Sequence, residues 1–372
     1  MKYFLIAGEP SGDQHGSMLM ESILKTDKAA EFKFLGGDLM ERVGGKAVIH
    51  IRDMAFMGFT QLIIKALRIS ANFRICKREI LSFHPDIVIP IDYGGFNLRL
   101  IRWLKSKNIR SVYYITPKVW AWMPGRANKL ALYTERSLCI LPFEKEFLEN
   151  YGVRCDYVGN PVRDYVQKVR NSDVIAIRSA LNLPGKPVIA LLPGSRRQEI
   201  TKILPIMAQM IDQFTEYQFI IAGHDHFSTD FYCEVVDRAD VPVYYGKTLE
   251  LLMIADAALV TSGTATLEAA LLETPQVVCY KTAPLSFLIA RLLVRIKHIS
   301  LVNLILNRAC VDELIQGRLT AHHLKISLDR ILNDQPFLIR MAAGYKELSD
   351  KLGDNEASAT AAGIICHIAL EP

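Results

Sequence analysis

The feature that most constrains this chain is a recurring unit: a short run that is apolar on both faces, a turn of small residues, then an amphipathic stretch. A strand with branched aliphatic side chains on both sides must be covered on both sides, which means a parallel sheet flanked by helices. In the first half the clearest such strands are 3–8, 86–91, 111–116 and 137–141, and in the second half 188–192, 218–222, 241–245, 257–261 and 276–280. The pattern pauses at Val158-Gly159-Asn160-Pro161 and in the polar stretch to Ser172, which predicts a linker near 160–172. The reading is α/β, with two Rossmann-like doubly wound domains whose strand C-terminal ends are expected to face a cleft, where such sheets bind ligands. The expected bounds are 1–165 for the N-terminal domain and 166–340 for the C-terminal one, with 341–372 as helices that pack on the first domain.

Composition agrees and narrows the function classes. The 372 residues suit two domains at roughly 150 residues each. A chain that is 50% hydrophobic and 22% charged has core to bury and is not a disordered tail. Its net charge of +5 is too mild to argue for nucleic acid. The start carries no secretory h-region, and apolar stretches such as 299–306 fall far short of the ~20 residues that a spanning helix needs. Seven cysteines without a CxxC pair predict buried, reduced thiols, with neither disulfides nor a zinc site. Gly223-His224-Asp225-His226 lacks a third metal ligand and predicts a turn rather than a metal site.

Four strand ends carry the candidate chemistry. Gly8-Glu9-Pro10-Ser11-Gly12-Asp13 leads into a helix and either brings backbone close to an anionic ligand or is a plain turn with Asp13 as a helix cap. Asp92, directly after an apolar strand and before Gly94-Gly95, is either a partly desolvated general base or a turn and cap residue. Leu192-Pro193-Gly194-Ser195-Arg196-Arg197 places guanidinium groups at a helix start, where positive charge is unfavourable unless an anion such as a diphosphate binds. Ser262-Gly263-Thr264 offers backbone and hydroxyl donors to phosphate, and Glu268, one turn on, either takes a ribose diol or closes a capping box. The stretch 54–80 mixes Met57, Phe59 and Ile63 with Lys65 and Arg68, and 287–297 is similar; each is either core with a solvated face or a surface for an anionic membrane and a lipid substrate.

The ordered set GEPSGD at 8–13, PKVWAW at 117–122 with Arg126, LPFE at 141–144, LPGSRRQE at 192–199, SGTATLE at 262–268, and SLVNL with DELIQ within 300–316 spans nearly the whole chain. It resembles the lipid-A-disaccharide synthase family of peripheral membrane glycosyltransferases. The resemblance implies a GT-B fold with the donor nucleotide held chiefly by the C-terminal domain. The implied reaction joins UDP-2,3-diacylglucosamine to 2,3-diacylglucosamine 1-phosphate with inversion, giving a β-1,6-linked disaccharide 1-phosphate and UDP, and it implies no metal and no cofactor. It further implies a cytoplasmic protein on the inner-membrane face, and it leaves a homodimer open.

By position, the resemblance makes Asp92 the base for the acceptor 6-hydroxyl, and puts Glu9, Ser11, Gly12 and Asp13 on the acceptor side facing the donor phosphates. Arg196, Ser262, Gly263 and Thr264 would meet the diphosphate, while Glu268, Asn303 and Gln316 would hold ribose, sugar or uracil. The chain departs from the family pattern Asp-x-Pro-Asp-Phe-Asn, since Gly94-Gly95 leaves no second aspartate after Asp92. Asn160 stands where a histidine is usual, and Met123 where an arginine often follows WAW. The competing expectations are an enzyme like UDP-N-acetylglucosamine 2-epimerase, or a non-catalytic binder of nucleotide sugars or lipids.

Overall fold

The computed structural model describes residues 1–54, 62–183, 185–284, 287, 288, 291, 294 and 296–371, with the side chains of 54 and 62–67 excepted. The chain forms two compact units, Met1–Pro161 with Asp354–Pro372, and Val162–Gly353.

In the first unit β1 (Lys2–Ile6), β2 (Glu31–Gly36), β3 (Ile49–His50) and β4 (Ile87–Pro90) form a parallel sheet in the order β3-β2-β1-β4. The strands β5 (Val112–Tyr114), β6 (Arg136–Cys139) and β7 (Cys155–Tyr157) continue it, because parallel bridges Val88–Ser111 and Ile91–Tyr114 join β4 to β5. Alternate residues of β1 point to opposite faces, and both faces are covered, as two-sided hydrophobicity requires. Tyr3 and Leu5 pack with Leu19, Met20 and Ile23 of the helix Pro10–Thr26, and with Ala361, Ile365 and Cys366. Phe4 and Ile6 pack on the other side with Cys76, Ile80, Phe96 and Leu100.

In the second unit β8 (Val188–Leu192), β9 (Gln218–Gly223), β10 (Val243–Tyr245), β11 (Ala257–Thr261), β12 (Gln276–Tyr280) and β13 (Asp312–Ile315) form one parallel sheet. Its order is β10-β9-β8-β11-β12-β13. Relative to each unit's own first strand, both sheets therefore run 3-2-1-4-5-6, the doubly wound order, and the first carries a seventh strand, β7, beyond the sixth.

Two expectations need correction. The predicted linker is largely a helix, Pro161–Val169, because Val162 and Val166, four apart, form a buried face and Pro161 fits the first helical turn. The C-terminal helices also divide rather than staying together. The helix Gln335–Leu352 belongs to the second unit, where the buried Tyr345 hydroxyl donates to the Thr274 carbonyl and accepts from Gln276 Nε2, each at 3.2 Å. Only the helix Ala357–Leu370 returns to the first unit, with Cys366 Sγ 3.4 Å from the Tyr3 hydroxyl.

Among the described residues no helix is long and apolar enough to cross a membrane. Met57 and Phe59, and the side chains of Ile63 and Lys65, lie outside the described residues. Arg68 is exposed on the helix Leu62–Phe83.

Candidate active site

In a sheet of this order the connections leave β1 and β4, or β8 and β11, on opposite sides, opening a crevice at the strand C-termini. The four motif loops fall at these two switch points: 8–13 and 92–97 in the first unit, 193–197 and 262–268 in the second.

In the first unit, Asp92 and Tyr93 adopt left-handed φ values of 43° and 47°, and Ile115 beside them one of 58°. For non-glycine residues such conformations cost on the order of 1–3 kcal/mol each and persist where their surroundings over-determine them. Here the Asp92 N–H donates to both Tyr114 and Ile115 carbonyls (3.1 and 3.2 Å), while its own carbonyl accepts from the Tyr113 hydroxyl (2.5 Å) and Asn97 Nδ2 (2.9 Å). Asn97 Nδ2 also reaches the carbonyls of Ile6 and Ile91, so this buried amide ties the ends of β1 and β4 together. The helix Gly94–Ser106 begins without a side-chain cap, so Asp92 is not its cap residue. Burial raises the Asp92 carboxyl to about 6; Lys118 and the Tyr93 N–H pull it down, and Glu9 pushes it up. A carboxyl poised there is a weak acid near neutrality, suited to accept a hydroxyl proton.

The β1 loop is shaped to the same place. A Cβ on Gly8 would come within 2.4 Å of the Tyr93 ring, and one on Gly12 within 3.2 Å of Ala7 Cβ. Glu9 and Ser11 are exposed. Asp13 does something not anticipated: its buried carboxylate accepts the N–H groups of Gly37, Leu39 and Met40 at 2.7, 3.0 and 3.1 Å. It thus caps the next helix, Asp38–Gly44, rather than its own, and this work occupies both of its oxygens.

The PKVWAW and LPFE motifs meet. Glu144, 2% exposed, accepts from Trp120 Nε1 (2.8 Å), Leu141 N–H (3.0 Å) and Ile140 N–H (3.2 Å). Burial raises its carboxyl to about 7, against the pull of Trp120, the two N–H groups and Lys118. Lys118 acts electrostatically on both Glu144 and Asp92, so this strut fixes the loop that carries the cation beside the candidate base. Trp122 and Met123 are exposed at the loop's end, with Arg126 over the Trp122 ring at 4.7 Å. Asn160 is buried and donates to the Ile140 carbonyl at 2.9 Å.

In the second unit Gly194 turns the chain after β8 with φ +99°, a conformation that glycine adopts at no steric cost. Arg196 is 76% exposed and pairs with Glu199 at 3.0 Å. Arg197 instead lies over the Phe231 ring at 4.6 Å. Of the β11 loop, Gly263 and Thr264 are exposed. Ser262 is spent internally, its hydroxyl donating to the Ile299 carbonyl (2.9 Å) and its N–H to Cys279 (3.1 Å). Glu268 forms no capping box. It is partly buried, its Oε1 accepts the Tyr165 hydroxyl, and burial raises its carboxyl.

The other two polar candidates are also engaged within the fold. Asn303, buried, accepts from Cys310 and Val311 N–H groups (2.7 and 3.0 Å) and donates to the Val311 carbonyl and Glu313 (2.9 Å each). Gln316 clamps Thr282, accepting its N–H at 2.8 Å and donating to its carbonyl at 3.4 Å. Sequence reasoning missed Tyr165 and Glu144. The first lay in the supposed linker; the second was visible only as part of LPFE, with nothing to reveal its partner.

Comparison with known proteins fits these halves. The chain matches the family described as lipid-A-disaccharide synthetase over residues 3–362. It is 32% identical over 370 residues to a lipid-A-disaccharide synthase of Geobacter sulfurreducens, covering 98% of this chain and 96% of that one. It is 35% identical to the enzyme of that name from Syntrophus aciditrophicus, covering 94% of this chain and 93% of the relative. Among solved structures, UDP-GlcNAc 2-epimerase from Neisseria meningitidis bound to UDP-GlcNAc superposes with TM-score 0.70 over 99% of this chain and 100% of its own, at 13% identity. The kitacinnamycin glycotransferase gives 0.67 over 99% of each chain at 12% identity. At that identity these two share the fold and carry no further weight. The chain belongs to the lipid-A-disaccharide synthase family and is a glycosyltransferase of lipid A biosynthesis.

Proposed function

We propose that the donor is UDP-2,3-diacylglucosamine and the acceptor 2,3-diacylglucosamine 1-phosphate, with Asp92 as general base. Asp92 takes the proton of the acceptor 6-hydroxyl as that oxygen attacks the donor anomeric carbon. The C1–O bond to UDP breaks with inversion, giving the β-1,6-linked disaccharide 1-phosphate and UDP, and the proton then leaves Asp92 for solvent. The first unit supplies this base, with Glu9 acting on its charge, and Glu9, Ser11 and Gly12 are assigned to the acceptor side. In the second unit Arg196 and the 263–264 turn stabilise the departing diphosphate, the larger contribution where charge develops on a leaving group. No metal is needed in this scheme, since cationic and backbone donors meet the charge. The protein works at the cytoplasmic face of the inner membrane, where its acylated substrates are held. One observation carries the reading: a partly desolvated carboxyl locked in a left-handed conformation at the first switch point.

The test is UDP release by purified protein in detergent with the donor, with and without the acceptor, and mass analysis of the lipid. Release that depends on the acceptor and yields the tetra-acyl disaccharide phosphate is expected. Conversion of unacylated UDP-N-acetylglucosamine instead would favour an epimerase reading. An Asp92→Asn protein that binds UDP and keeps full turnover would remove Asp92 from its role.

A further inference from the structure

The helix that replaces the expected linker carries a side chain into the second-unit site. Tyr165 donates its hydroxyl to Glu268 Oε1 at 2.5 Å. Five residues on, Arg170 pairs with Glu273 across the same 103-residue separation, so the segment around Pro161–Val169 runs alongside that of Thr264–Leu271 in fixed register. Among the described residues no cation pairs with Glu268. A carboxylate kept partly buried with a hydroxyl as its donor is a poor choice for stability, since its remaining hydrogen-bonding capacity is desolvated at a cost. The position suits another use. Glu268 lies one helical turn beyond Thr264, about 6 Å along the axis from the exposed turn that faces the diphosphate, the offset between a nucleotide's phosphates and its ribose.

We infer that Tyr165 is the positioning residue for ribose recognition: by holding Oε1 it orients the Glu268 carboxylate so that Oε2 accepts from the nucleotide's 2′- and 3′-hydroxyls. This rests on the proposed reading of the second unit as the UDP site. It adds a residue whose hydroxyl touches neither substrate nor reacting atoms, yet sets how strongly a diol is distinguished from a deoxy sugar.

The experiment compares equilibrium binding of UDP and of 2′,3′-dideoxy-UDP to full-length wild type, Tyr165→Phe and Glu268→Gln. In wild type UDP should bind more tightly than the analogue. In Tyr165→Phe, UDP affinity should fall about 10- to 150-fold, the range for one hydrogen bond to a charged group. Analogue affinity should hold, and Glu268→Gln should behave alike. Unchanged analogue binding also certifies that the variant is folded. If wild type discriminates and Tyr165→Phe discriminates equally well, Tyr165 is merely structural and the inference fails alone. A parallel loss of both ligands overturns it in the same way. If wild type binds UDP and the analogue equally, Glu268 does not hold the ribose, and the reading of this part of the site falls with the inference.

Discussion

Asp92 shows how one residue can be good for chemistry and bad for stability. Its carboxyl is raised to about 6 by burial, so the folded protein holds this proton more tightly than the unfolded chain, whose aspartates titrate near ~3.9. Folded and unfolded states then differ in bound protons between these values, and stability falls as pH rises through the window. The cost is complete above about 6, where the base is active. Asp92→Asn removes it, and asparagine is at ease in the left-handed region. Thermal or urea unfolding at pH 8 should therefore show the variant more stable by about 1–3 kcal/mol while turnover is lost; a destabilised variant would contradict the burial argument. The neighbours give a signed check. Lys118 lowers this pKa and Glu9 raises it. The rising limb of kcat/KM against pH should move up in Lys118→Met and down in Glu9→Gln, and shifts of the same sign would break the assignment.

At the scale of elements, the helix Gly94–Ser106 explains one departure from the family pattern. A Cβ on Gly94 would approach Pro117 Cβ to 2.8 Å, whereas one on Gly95 meets nothing within 4 Å. Gly95→Asp should therefore fit, and should stabilise by about 0.5–1 kcal/mol through lost glycine entropy and a carboxylate at a helix N-terminus. The same charge should raise the Asp92 midpoint, so unfolding and a pH profile together check it; a destabilised Gly95→Asp would show that the open space is needed. What was legible in the sequence follows from burial. The central strands β1, β4, β8, β11 and β12 read clearly because both faces are apolar. The strands β2, β3, β7 and β13 did not, being short or carrying charge, as Glu313 does on the edge strand β13. The motif loops were legible as small residues after strands. What Asp13, Ser262, Asn303 and Gln316 bond to was not, because those partners, backbone groups and for Asn303 also the Glu313 carboxylate, are brought in by tertiary structure.

At the scale of the whole molecule, chain order and membership of a core part company. Ile365 follows the second unit in sequence, yet it is fully buried in the first, against Leu19, Ile23 and the β1 face. The helix that carries it is rich in alanine, with Ala357, Ala361, Ala362 and Ala369 buried, so its backbone can lie close to the helix Pro10–Thr26. Such a contact leaves few methylenes to spare, and the few large side chains bear much of the burial free energy. Ile365→Ala should therefore cost about 2–4 kcal/mol, the range for a large-to-small change in a packed core. The loss should not be shared by the whole chain. Native-state hydrogen exchange should show weakened protection in β1 and at Leu19 and Ile23, with amides of β8, β9 and β11 unchanged, because those strands close a core that contains no residue after Gly353. Uniform loss of protection across both sheets would mean that the chain unfolds as one cooperative body, and that the two cores, distinct in packing, are not distinct in stability.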